Sequence, residues 1–363
     1  MRNRNQWALL LIGALIVCCA PLAVSAQTGF WACPQDVAGQ TLNVYNWTTY
    51  IAEDTISNFE RLCGVTVVYN TYASDTDMVD ELRAGNPGYD VVVPTDATIY
   101  GMTEEALLQT LDRSQIPNAA NIGSTFANPP YDPQNAYTVP YQWGTNGIGY
   151  NRAKTGRDLT TWDEVFNYAG PVAWIDEPRI MLGIALKVLG LDPNTTDAAQ
   201  IQQAGQYLID HSANVLEIAA DTGQDLLSGG QADIVIEYSG DIFQVIAECQ
   251  CNNFAYAIPS EGSVIWIDSL TIPVGAPNKR LAQIFIDYIL TPQVGADIAN
   301  FTAYASPNQA AIAENLIESQ YLDNPAIYPN ADVQARLFFI QSNATMEQLF
   351  SAEWERVKAA VGR

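Results

Sequence analysis

The sequence predicts an α/β protein of two lobes, each a mainly parallel sheet flanked by helices, joined by crossing strands. Three observations predict it. Strand-like and helix-like segments alternate along the chain, the pattern of parallel sheets with helices on their faces. The chain has 363 residues and is 48% hydrophobic, enough to fill two cores. No Pro/Ser/Gly-rich linker, repeat or low-complexity stretch separates the two α/β units. The lobes should therefore be tied by more than one crossing strand, with a ligand site between them at the carboxyl ends of strands.

Residues 1–26 stand apart from the fold. Arg2 and Arg4 precede an apolar run from Trp7 to Cys19, followed by Pro21 and by Val24-Ser25-Ala26 ahead of Gln27. This is the arrangement of a secretory signal with small residues at its cleavage site. The run is short for a bilayer span, which takes roughly 20 apolar residues, and Pro21 closes it. Cleavage after Ala26 is expected, leaving a protein soluble outside the cytoplasm. Lipid attachment at Cys18 or Cys19 is disfavoured by the bulk of Val17. Four cysteines then remain, Cys33, Cys63, Cys249 and Cys251, an even number that in an oxidising compartment points to disulfides. Three pairings are open. The preferred one is Cys33–Cys63, tying an N-terminal extension (27–40) to the end of the first helix, with Cys249–Cys251 as a tight local pair. Zinc is the rival, but the C-x-C has no matching C-x₂-C or histidine pair.

The first unit opens with a strand at 41–45. A helix at 54–62 follows, with Ile56, Phe59 and Leu62 on one face and Gly64 as its stop. A strand at 65–69 leads to a helix capped by Asp75, with Met78, Val79 and Leu82 inward, and then to a buried strand at 89–93 closed by Pro94. The second unit begins near Thr145, with a strand at 147–150. Strands at 171–175, 232–236 and 254–258 alternate with helices at 181–189, 197–209 and 240–248. Residues 265–273 are extended, helices follow at 279–290 and 292–300, and amphipathic helices end the chain, the last at 346–361.

Charge narrows the partners. Forty acidic residues face sixteen basic ones, a net charge of −24 that becomes −26 once Arg2 and Arg4 leave with the leader. Nucleic acid and anionic membrane are excluded as partners, because Lys and Arg must neutralise phosphates. Cationic partners are permitted, since an acidic cleft focuses its field on an incoming cation; the plainer reading of the charge is acidic surface that keeps a secreted protein soluble. With His211 the only histidine, most histidine-based catalytic and metal sites are excluded. No cofactor or metal is expected, and no catalytic residue is assigned.

Six stretches in order carry a resemblance. They are Asn43-Val44-Tyr45-Asn46-Trp47-Thr48-Thr49-Tyr50-Ile51; Tyr89-Asp90-Val91-Val92-Val93-Pro94; Pro140-Tyr141-Gln142-Trp143-Gly144-Thr145 with Gly147-Ile148-Gly149-Tyr150-Asn151; Ser239-Gly240-Asp241; Trp266-Ile267-Asp268-Ser269-Leu270; and Tyr328-Pro329-Asn330-Ala331-Asp332-Val333. From Thr41 onward the chain resembles the periplasmic putrescine- and spermidine-binding proteins. The resemblance implies a type II periplasmic binding protein fold that closes on a polyamine and delivers it to an ABC transporter permease, as a periplasmic or extracytoplasmic monomer. The expected boundaries are 41–145 with 270–320 for one lobe, 146–269 for the other, and C-terminal helices at 321–363 packing across both.

A polyamine needs carboxylates for its ammonium ends and flat apolar surface for its methylene stem; aromatic faces add cation–π attraction of about 0.5–2 kcal/mol each. By family position Trp47 and Tyr50 form one wall, with Thr48 offering a hydroxyl; the plainer reading puts both rings in the core. Asp241 is implied as an amine partner with Tyr238 as a wall residue, against an ordinary helix-start acid. Asp268 and Trp266, two apart on extended chain, face one side, an acid and an indole in one pocket. Tyr304 is implied to cover the stem. Departures are equally informative. Thr49 stands where the family often has an acid. Arg179 and Ile180 stand where it places a second ligand acid, with Glu177 the candidate substitute. Asp96, Ala97 and Thr98 replace an aromatic after Pro94. An Arg179 facing the cleft would repel a second ammonium or pair with a ligand carboxylate, which keeps another amine or an amino-acid-like compound as an alternative ligand. A hydrolase using Asp241 and Asp268 is the reading from another class. No G-x-S-x-G, H-E-x-x-H or Walker A sequence supports it.

Overall fold

Two antiparallel strands at the middle of the sheet organise the computed structural model, which describes residues 31–363 except Ala73, Asp221, Gln250 and Arg363, and only the backbone of Ala344. The expected leader, with Cys18 and Cys19, lies outside the described residues. In chain order the strands are β1 (Thr41–Trp47), β2 (Thr66–Tyr72), β3 (Val91–Val92), β4 (Thr138–Asn151), β5 (Val172–Ile175), β6 (Val215–Ala219), β7 (Ile234–Tyr238), β8 (Phe254–Ala257) and β9 (Ile265–Thr271). Their order across the sheet is β2-β1-β3-β9-β4-β7-β5-β6, with β8 paired to β4.

Among the strands just named, parallel pairing falls in two groups, β2-β1-β3 and β6-β5-β7. Between them β4 and β9 run antiparallel, because a chain that leaves one group along β4 and comes back along β9 must reverse direction. From Thr138 to Thr145, β4 pairs with β9; from Asn146 to Tyr150 it pairs with β7, and from Ile148 onward with β8. One fourteen-residue strand thus links the two parallel groups, through β9 on one side and β7 on the other. Only its second half was legible as a strand.

Local chemistry explains where elements begin and end. The helix Thr55–Cys63 stops at Gly64, whose φ of 64° lets its N–H reach the Glu60 carbonyl at 2.8 Å. The helix Asp75–Arg83 is capped by Ser74, whose hydroxyl accepts the Asp77 N–H at 3.2 Å. This corrects the expectation that Asp75 is the cap: its carboxylate turns instead to Thr95 and Thr98. The strand expected at 89–93 shrinks to Val91–Val92. Beside it the Asp90 carboxylate replaces backbone pairing, accepting the N–H groups of Asn43 at 2.9 Å and Asn278 at 2.6 Å. The elements that escaped the sequence reading include β6, the short helices Trp162–Phe166 and Gly223–Ser228, and the helix Asp96–Glu104, which Thr95 caps.

The disulfides Cys33–Cys63 and Cys249–Cys251 both form. Phe59 and Phe285 meet edge to face at 5.1 Å in the core beside the first helix. The last helix, Ala344–Val361, packs on the helices Pro178–Val188 and Ala198–Asp210 through fully buried Phe350 and Trp354. Earlier in the C-terminal segment, the Tyr328 hydroxyl accepts the Ser306 N–H at 3.0 Å and its ring meets Trp143.

Candidate solute-binding site

The register of the central strands brings the key side chains to one face. Gln142 lies opposite Asp268, Gly144 opposite Trp266, and Asn146 opposite Tyr238. Position 144 must be glycine because a Cβ there would stand 2.5 Å from the Trp266 indole. Gly240 answers the same need: the Tyr304 ring lies directly on it. The backbone is bared at both positions so that aromatic rings can occupy the space.

Five rings form a continuous edge-to-face chain along this face. Tyr238 meets Trp266 at 5.8 Å, Trp266 meets Tyr304 at 5.2 Å, and Tyr304 meets Tyr50 at 5.5 Å. Tyr50 then meets Tyr141 at 5.5 Å. The Tyr50 carbonyl accepts the Tyr141 hydroxyl at 2.6 Å, and Gln142 is fixed by the Thr302 hydroxyl at 2.5 Å. Trp47 is half-buried. Its indole N–H donates to the Val93 carbonyl at 2.8 Å and its ring leans on Tyr72 at 4.6 Å. Thr48 is exposed, with its hydroxyl 3.5 Å from the Tyr72 carbonyl.

Asp268 sits among these rings, 5% exposed. The Tyr50 hydroxyl donates to its Oδ2 at 2.6 Å, while Oδ1 is buried without a partner, as is the indole Nε1 of Trp266. Burial pushes the Asp268 carboxyl well above the usual range; the Tyr50 hydrogen bond opposes this, and the charges of Asp75 and Asp96 add to it. Asp96, 3% exposed, accepts the Ile267 N–H at 3.2 Å through Oδ1 and leaves Oδ2 buried and unpaired. Burial lifts it to about 7. Asp75 accepts the hydroxyls of Thr95 at 2.5 Å and Thr98 at 2.7 Å, and burial raises its carboxyl as well. Among the described residues no ion pair reaches any of these three acids.

The remaining candidates sit differently. Asp241 is half-buried in the first turn of the helix Ser239–Cys249, next to Gly240. Glu177 is exposed just before the helix Pro178–Val188. Arg179 is 7% exposed and committed elsewhere: it pairs with Glu347 at 3.2 Å, donates to Asn194 at 3.1 Å, and stacks its guanidinium 4.0 Å from the Phe350 ring centre. The arginine that could have turned the cleft toward a ligand carboxylate instead anchors the last helix.

Sequence reasoning missed Asp75, Asp96, Gln142 and Asn146. Asn146 is fully buried with neither amide atom hydrogen-bonded. A signal for the two acids existed: each opens a helix just beyond the carboxyl end of a parallel strand, where open α/β sheets bind ligands. The chemistry assembled here is a set of buried carboxylate oxygens with no cationic side chain paired to them among the described residues, walled by aromatic rings. It fits an ammonium on an apolar stem.

Residues 54–329 match the family model of the bacterial extracellular solute-binding proteins. The chain belongs to that family. This solute-binding protein is 32% identical over 342 residues to the Escherichia coli putrescine-binding periplasmic protein PotF, covering 88% of this chain and 92% of PotF. It is also 32% identical over 366 residues to a putrescine/agmatine-binding protein of Pseudomonas aeruginosa, covering 94% and 98% of the two chains. Among solved structures, the Streptococcus pneumoniae spermidine/putrescine ABC transporter substrate-binding protein PotD superposes with a TM-score of 0.81 at 28% identity, covering 89% of this chain and all of that one. The two-lobe fold of the solute-binding proteins is therefore that of this chain.

Proposed function

We propose that this solute-binding protein captures a polyamine of the putrescine or spermidine type outside the cytoplasm and presents it to an ABC transporter. The observation that carries the reading is Asp268: a nearly inaccessible carboxylate, held by Tyr50, with one oxygen unpaired inside an aromatic wall and no cation beside it. A buried acid in that state is costly until a positive group arrives. Trp266, Tyr304, Tyr238 and Tyr50 would pack the methylene stem, with Trp47 and Thr48 at the margin. Asp241 and Glu177 would face the distal end. The names of the relatives support the ligand class.

The lobes are taken as 41–145 with 270–320, and 146–269. β4 and β9 connect them, so lobe closure would bend these strands near 145–150 and 268–273, and the ligand would favour the closed state. An amino-acid-like ligand is disfavoured, because its carboxylate would need a cation and Arg179 is occupied by Glu347 and Asn194.

A thermal-shift panel with putrescine, spermidine, agmatine and γ-aminobutyrate tests the assignment. Stabilisation by at least one di- or triamine, with none by γ-aminobutyrate, is expected. No shift with any polyamine retires it. Prolonged incubation with the bound amine should leave it chemically unchanged, and product formation would point to an enzyme.

A further inference from the structure

The site holds more carboxylate than one ammonium can neutralise. Asp75 opens the helix Asp75–Arg83, Asp96 opens the helix Asp96–Glu104, and Asp268 lies on β9. They converge just past the end of β3. Thr95 bridges to Asp268 across the sheet and gives its hydroxyl to Asp75, while the Asp96 carboxylate takes the N–H of Ile267. Each acid thus has one carboxylate oxygen tied down, that of Asp268 by the Tyr50 hydroxyl. In each, the other oxygen (Asp75 Oδ1, Asp96 Oδ2, Asp268 Oδ1) is buried without a partner.

The titratable groups that face the cluster from neighbouring elements are phenols: Tyr50 after β1, Tyr72 on β2, Tyr131 in the long connection before β4, and Tyr141 on β4. Burial raises all four, so they stay neutral and supply no positive charge. Among the described residues, no group of His, Cys, Asp or Glu side chains is placed to hold a metal ion. Three neighbouring carboxylates, two of them nearly inaccessible and Asp75 half-buried, are costly to ionise together without a cation.

We propose that Asp75, Asp96 and Asp268 form a proton-exchange socket, in which an entering ligand ammonium displaces protons held on the three acids. The step balances simply. A carboxyl O–H bond breaks, its proton passes to solvent buffer, and the freed oxygen accepts an N–H of the ammonium. Asp75 and Asp96 thereby become specificity residues, favouring a ligand end that is fully charged over a neutral isostere. The elevation of Asp96 to about 7 puts the exchange near neutral pH. The inference rests on the polyamine reading.

The test is calorimetric titration of the mature chain with putrescine and with spermidine, in buffers of different ionisation enthalpy, across about pH 6 to about pH 8. The heat should vary with the buffer, reporting release of roughly one proton per ligand. Affinity should fall up to tenfold for each unit the pH is lowered, the slope for one exchanged proton. Asp75→Asn and Asp96→Asn should each reduce the number of protons released. Binding with buffer-independent heat, or with an affinity flat across the range, overturns the socket and leaves the polyamine reading standing. If neither amine binds, both fall. The wild-type buffer series decides the matter even where a variant fails to fold.

Discussion

In the cleft proposed above, the acids of the two ends are held in opposite ways. At one end, Asp268 and Asp96 are nearly inaccessible, hydrogen-bonded through one oxygen each and surrounded by phenols and indoles. At the other, Asp241 is half-buried at a helix start and Glu177 is exposed to solvent. All four are carboxylates, yet burial gives them unequal weight. A charge that has already lost its water gains most from a cation, whereas an exposed acid exchanges one set of hydrogen bonds for another. The buried end should therefore set affinity, and the open end should tune ligand length at small energetic cost.

Asp268→Asn breaks the comparison most directly. It keeps the shape but removes the charge, so putrescine affinity should fall on the order of 100-fold, about 2.7 kcal/mol, as read by calorimetry. An unchanged affinity would mean that the buried end does not hold the amine.

Asp96 sharpens the comparison through stability instead of binding. Its carboxyl rises from 3.8 to about 7 on folding, so between those values the folded state holds a proton the unfolded chain has lost. Stability of the ligand-free protein should therefore fall as pH rises from about 4 to about 7, and stay low above that. Asp96→Asn should flatten the decline and stabilise the ligand-free protein at about pH 8, by on the order of 2 kcal/mol in denaturant titrations. A pH profile that Asp96→Asn leaves unaltered would show that this acid carries no burial penalty.

The same contrast explains what could be read from sequence. Alternating segments disclosed the two parallel groups because each strand and helix carries its own periodic pattern. The first half of β4 did not show, since Thr138–Asn151 is buried almost throughout and a strand buried on both faces loses its alternation. Trp266 and Asp268 stood out because i and i+2 share a face. Asp75 was misread as a cap, since a helix-start acid has the same local signature whether it caps the helix or turns away; only Thr95 and Thr98, twenty or more residues on, decide between them. The role of Arg179 was equally invisible, because its partner Glu347 lies 168 residues away.

Asp241→Asn probes the open end at an intermediate point. The side chain is only half-buried, so the loss should be roughly threefold to tenfold in affinity. It should weigh more on a longer triamine than on putrescine, whose far ammonium need not reach it. Equal losses for Asp241→Asn and Asp268→Asn, measured on the same ligand, would erase the distinction between the ends.

Glu177→Gln should have the smallest effect. Its side chain is solvent-exposed beside Pro178, so any attraction to a distal ammonium acts through water and is screened within about 10 Å at 0.1 M salt. Affinity for spermidine should change by less than about threefold at that ionic strength and by slightly more at low salt. Because Gln keeps the size and hydrogen-bonding reach of Glu, the difference isolates the charge. A large, salt-independent loss would mean that lobe closure buries Glu177, making the open end as dry as the other and the two sets of acids equivalent in the bound state.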